Sequence, residues 1–323
     1  MRRALALAVL LSACAPVTST DRTAPSAAAS SPASSSPAAT AAAWRRIADI
    51  PTPRSEVAAA AVRGVIYVIG GFGGGNVVET YASDRWATGP RYPLPVDHAM
   101  AAAVEGSTDG TVYVFGGNVN GVATARSFRL SGGAWQEVAA MPAPRAQGAA
   151  VALEGKVFVV GGAQNDRLVA PTYAYDLAAD RWTTVAAIPT PRDHLAAAPL
   201  GARVCAVGGR RLSLLQNLAT FECYDPAADR WQALPDAPTA RGGIGAANVG
   251  GRIFVAGGEQ PLGTFREIDV FDPTSASWTR GPALPTSRHG LGVVAVGSTL
   301  YVMSGGPTPG TSQTPVCEAL DIR

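Results

Sequence analysis

Six tryptophans, at positions 44, 86, 135, 182, 231 and 278, stand 42 to 49 residues apart and divide most of the 323-residue chain into near-equal lengths. Between them the same landmarks return in the same order. A Pro-rich turn ending in Arg comes first, then a run of small residues, an apolar run ending in Gly-Gly, and an aromatic-Asp pair before the next Trp. Self-similarity at this period means that one supersecondary unit is stacked on copies of itself, so the unit decides the fold.

The third unit shows what is stacked. Arg145 to Leu153 is a run of small residues suited to an innermost strand, because strands converging on an axis have no room for large side chains. Lys156 to Val160 (KVFVV) reads as a buried second strand, broken by Gly161-Gly162 where the chain must depart tightly. Thr172 to Tyr175 is a third strand, with Asp176 in turn position. Arg181 to Val185, carrying Trp182, is the outer strand. Four antiparallel strands in a repeat of this length make one propeller blade.

The double glycines recur at 70–71, 116–117, 161–162, 208–209 and 257–258, with Ser304-Gly305 in the sixth unit. Tyr175-Asp176, Tyr224-Asp225 and Phe271-Asp272 each precede a Trp by seven positions, counted from the aromatic; Tyr81-Ala82 and Phe128-Arg129 are degenerate. This succession resembles the Kelch repeat and covers about residues 44–323, which implies an all-β, six-bladed Kelch-type β-propeller. The last unit ends without a Trp, while Ala43 to Ala48, with Trp44, forms an orphan fourth strand ahead of the first. That strand is expected to complete the last blade and seal the ring, leaving no open edge.

Ahead of the repeats, residues 1–13 read as a lipoprotein signal peptide: Arg2 and Arg3, a short apolar stretch, then Leu-Ser-Ala before Cys14. This ending resembles a bacterial lipobox and implies that Cys14 is lipidated. Residues 14–42 follow as an Ala/Ser/Pro tether, and 43–323 as the propeller. The expectation is an exported monomer, held to the cell envelope by its lipid alone. Only 15% of residues are charged, with a net charge of +2 and no basic block, which argues against a nucleic-acid partner.

The residues that open each blade carry the candidate chemistry. Aligned, they read Arg54-Ser55-Glu56, Val96-Asp97-His98, Arg145-Ala146-Gln147, Arg192-Asp193-His194, Arg241-Gly242-Gly243 and Arg288-His289-Gly290. One reading makes Arg54, Arg145, Arg192, Arg241 and Arg288 an anion-binding ring at the channel mouth, joined by His98, Asp97, His194 and His289. The other makes the arginines structural, since a residue repeated in most blades is often needed by each. A protein segment or a glycan, anionic in character, is the expected ligand. A weaker resemblance to Kelch-type sialic acid mutarotases implies the alternative of a sugar-active enzyme, with Glu56 or His194 as base. No cofactor is called for. The three histidines lie one each in blades 2, 4 and 6, which is no local metal-ligand motif. Cys205 and Cys223 fall nearly opposite one another on adjacent strands, either as a disulfide or as two buried thiols, while Cys317 is distant.

Overall fold

In a computed structural model, the structure describes residues 43–105 and 111–322; the stretches expected to be a signal peptide and a tether, with Cys14, lie outside the described residues. Six antiparallel sheets follow one another along the chain, each of four strands numbered from the axis outwards. Blade 3 is Ala149–Leu153, Lys156–Val160, Thr172–Asp176 and Arg181–Val185, and blade 4 is Ala196–Leu200, Arg203–Val207, Phe221–Asp225 and Arg230–Leu234. Blade 5 adds a short strand, Gly263–Thr264, to its second. In blade 6 the strands Gly292–Val296, Thr299–Met303 and Cys317–Asp321 are completed by Trp44–Arg46, with Trp44 opposite Leu320 and Arg46 opposite Glu318. The ring closes as its repeat boundaries require.

The core lies between blades. Six apolar clusters each span two neighbours; one joins Phe221, Cys205 and Cys223 of blade 4 to Val255 and Phe271 of blade 5, and another joins Val294 and Cys317 of blade 6 to Ile66 and Tyr81 of blade 1. A blade therefore buries its faces only against its neighbours, which is why the fold needs the whole ring. The tryptophans latch this arrangement. Every indole Nε1–H donates to a main-chain carbonyl at the outer turn of the preceding blade: Trp182 to Ala139, Trp231 to Ala186 and Trp278 to Pro235, at 2.7–3.0 Å. Trp44 does the same across the closure, to Pro282 at 2.8 Å. Cys205 and Cys223 are register partners in blade 4 and are joined by a disulfide.

One boundary differs from the sequence reading. The innermost strand of blade 3 begins at Ala149 rather than Arg145, because Gln147 takes the left-handed conformation (φ 62°) and breaks the strand. The equivalent residues Glu56, His98, His194, Gly243 and Gly290 also have positive φ, between 51° and 67°. Their backbones form a girdle around the axis. The amides of His98, Gln147, His194, Gly243 and Gly290 each donate to the carbonyl of the preceding blade's equivalent residue at 2.7–3.0 Å, and Val57 N closes the circle onto Gly290 O at 3.4 Å. At Gly290 a Cβ would fall 2.5 Å from Glu56 Oε1, so that position must lack a side chain. Below the girdle the alanine-rich inner strands surround an axial channel of about 350 Å³.

Candidate functional site at the axial mouth

The girdle sorts each opening triplet by direction. Its first residue turns into its own blade, its second pairs with the residue that follows the Gly-Gly, and its third points to the axis. The second-position pairs are Ser55 with Phe72, Asp97 with Asn118, Ala146 with Ala163, Asp193 with Arg210, Gly242 with Glu259 and His289 with Gly306.

The five arginines therefore do not line the mouth. Arg54, Arg145, Arg192 and Arg288 are 0% exposed and Arg241 is 1% exposed. Their guanidiniums hydrogen-bond carbonyls within their own blades: Arg192 to Gly208, Ala206 and Thr190, Arg145 to Val159, Gly161 and Pro171. Four of them also pair with an acid on the third strand, Arg54 with Glu79, Arg192 with Glu222, Arg241 with Asp269 and Arg288 with Glu318. Arg145 has Tyr173 in that place and lies 4.4 Å from its ring centroid. Blade 2, which opens on Val96, has Phe128 there. The ring is scaffolding, and the anionic ligand expected from it loses its basis.

The other candidates converge. His98 Nδ1 lies 2.6 Å from Asp97 Oδ1, and His194 Nδ1 lies 2.6 Å from Asp193 Oδ2. The two rings meet edge to face, Nε2 to Nε2 at 3.2 Å, and Glu56 Oε2 stands 3.3 Å from His98 Nε2. His289 also approaches Glu56, its Nε2 3.4 Å from Glu56 Oε1, though its nitrogens are 3.1 and 2.8 Å from the carbonyls of Gly306 and Gly310. Residues separated by 96 positions thus touch, which no sequence spacing announced.

Two residues were not anticipated. Arg210 donates through Nη2 to His194 Nε2 at 2.8 Å and through Nη1 to Glu259 at 2.7 Å. Glu259 in turn lies 3.6 Å from His289 Nε2. Both directly follow a Gly-Gly, and the signal was the irregularity of that position (Phe72, Asn118, Ala163, Arg210, Glu259, Gly306) within an otherwise regular repeat.

Electrostatics assign roles within the cluster. Burial alone would raise the Glu56 carboxyl, but His98, His194, His289 and Arg210 together hold it below its ordinary value. Burial opposes charge on His98; Glu56 and the bond from Asp97 outweigh it and lift His98 above its ordinary value. His194 goes the other way, depressed by burial and by the neighbouring Arg210 and His98 in spite of Asp193. A carboxylate on each Nδ1 orients both rings with Nε2 towards the axis. A chamber of about 80 Å³ lies against Glu56, His98, Gln147 and His194. The site can bind a polar group and move a proton.

Fold and site together define a six-bladed β-propeller with a polar mouth at one end of its axis. The Kelch motif model matches residues 53–81 and 240–285, in blade 1 and blade 5 of this propeller. Kelch-like protein 35 of Mus musculus is 32% identical over 125 residues, 37% of this chain and 21% of that protein. The Kelch repeat protein M-T8 of Myxoma virus (strain Lausanne) is 29% identical over 129 residues, 37% of this chain and 24% of that one. The chain thus spans about a fifth to a quarter of the length of these curated relatives. A solved structure described as "Structure of YjhT" superposes with a TM-score of 0.72 at 16% identity, over 83% of this chain and 95% of that one, a likeness of fold.

Proposed function

We propose that this chain is an exported, lipid-anchored binding propeller that docks a segment of a partner protein on the face carrying the axial mouth. One observation carries the reading. Among the described residues the exposed large apolar side chains are Val122, Leu212, Leu215 and Leu262, exposed by 59%, 46%, 84% and 97%. All four sit in the connections between second and third strands of blades 2, 4 and 5, which pair with the opening triplets and so share the mouth's face. Apolar side chains held in water around a polar centre match the composition of a protein-binding surface. The Kelch motifs agree with this, and the tether with Cys14 would hold the propeller clear of a membrane. The test is a peptide-array screen of the full-length protein in detergent against its Leu215→Ser and Leu262→Ser variants. Peptides bound by the wild type should be lost by both; peptides bound equally by all three would sink the assignment.

A second reading keeps the sugar-active alternative. The pairs Asp97–His98 and Asp193–His194, with Glu56 between them, are equipment for general acid–base catalysis in a small chamber. Anomer exchange of reducing sugars followed by proton NMR, with His194→Gln as control, would reveal it; absence of any acceleration by the wild type rejects it.

A further inference from the structure

We propose that Glu56, His98 and His194 form a binding site for a divalent first-row transition-metal ion, zinc being the probe of choice, on the propeller axis. The three residues each offer a ligand atom within 4.8 Å of the others. Two of the separations are tighter: 3.2 Å between the Nε2 atoms and 3.3 Å from His98 Nε2 to Glu56 Oε2. Ligand atoms about 2.0–2.1 Å from a tetrahedral ion stand roughly 3.3–3.4 Å apart, so these two edges fit without moving the backbone.

The surroundings match as well. A metal-bound imidazole commonly gives its other N–H to a carboxylate, which fixes its orientation. Both histidines do so at 2.6 Å, to Asp97 and Asp193. Two His and one carboxylate leave coordination positions open, and the 80 Å³ chamber adjoins the same three side chains. The ligands come from blades 1, 2 and 4, at girdle positions linked by main-chain hydrogen bonds, His98 directly to Glu56 and His194 to His98 through Gln147, so the set is fixed by ring closure rather than by a loop. Charge also favours a cation. Glu56, Asp97, Asp193 and Glu259 surround the site, with Arg210 the guanidinium in contact with it.

Arg210 is the competitor. Its Nη2 lies 2.8 Å from His194 Nε2, the lone pair a metal would use. Its other contacts, Glu259 at 2.7 Å and Asp193 at 3.6 Å, are placed to retain it when that one is given up. The second three-residue group, Glu56, Glu259 and His289, is poorer, because both His289 nitrogens already face carbonyl oxygens.

The experiment strips the full-length protein in detergent with a chelator and titrates zinc by calorimetry, with cobalt absorption reporting coordination geometry. One equivalent should bind with a tetrahedral cobalt spectrum. His98→Gln and His194→Gln should each lose affinity by about 100-fold or more, and Asp193→Asn by about tenfold, the lower end of second-layer effects. Arg210→Met should bind about tenfold more tightly, a gain that misfolding does not produce; thermal unfolding checks each variant, and if the histidine variants fail to fold, Asp193→Asn and Arg210→Met decide. No binding by the folded wild type at millimolar zinc, unchanged affinity in the folded histidine variants, or weaker binding by Arg210→Met overturns the proposal.

Discussion

Replacing Arg192 with Met tests whether the arginines are structural. Arg192 is fully buried and bonds Gly208 O and Thr190 O at 2.7 Å, Ala206 O at 3.0 Å and Glu222 Oε2 at 2.5 Å. Met fills similar space but supplies no donor. Glu222, 3% exposed, is then left with Thr190 Oγ1 at 2.8 Å and no positive partner. Breaking a buried pair in this way costs about 3–5 kcal/mol. Arg145→Met gives the comparison, since Arg145 bonds three carbonyls and faces Tyr173 but no acid. It strands acceptors without stranding a charge, at about 1–3 kcal/mol. The double variant Arg192→Met/Glu222→Gln removes the stranded charge and should recover at least about 1 kcal/mol relative to Arg192→Met alone. Urea unfolding followed by tryptophan fluorescence and by circular dichroism reads all three, coincidence of the probes licensing the free energies in a repeat fold. If Arg192→Met costs no more than Arg145→Met, or the double variant recovers nothing, the buried ion pair is not what holds the arginine.

Three further outcomes are expected. The disulfide between Cys205 and Cys223 joins residues 18 apart, and its removal should cost about 3 kcal/mol; thiol counting on the denatured, unreduced protein should find Cys317 reactive and those two silent. His98, lifted above its ordinary 6.5, stabilises the fold below that pH and loses its contribution as pH rises through its folded value, whereas Glu56, held below 4.5, contributes above that pH and loses its share as pH falls. Both act together between about 4.5 and 6.5, so His98→Gln should destabilise more at pH 6 than at pH 9, and an equal loss at both would show that its charge is not what binds it. Cys14→Ala should release the protein from membranes or leave it unprocessed, and an unlipidated mature N-terminus in the wild type would refute the anchor.

The sequence also held a signal for the fate of the arginines. Where a blade opens with Arg and its third strand carries an acid, the two pair, as in Arg54–Glu79, Arg241–Asp269 and Arg288–Glu318. Blade 2 lacks both, with Val96 and Phe128, and blade 3 keeps the Arg over Tyr173. An arginine matched by an acid on the third strand in four of the five blades that carry it marks a structural pair.

The number of blades, the placing of strands within them and the closing role of Trp44–Arg46 were determined by the sequence, because a repeating unit that cannot bury its faces alone has to stack on copies of itself until the ring shuts. The mouth was decided by the tertiary structure. Glu56, His98 and His194 meet because closure brings the equivalent girdle positions of blades 1, 2 and 4 to one axis. Their left-handed backbone aims them inward while the residue two positions earlier, an arginine in blades 1 and 4, turns into its blade. Residues two positions apart thus point to opposite environments, and the sequence carried that difference only at Gly243 and Gly290, where glycine occupies the left-handed position.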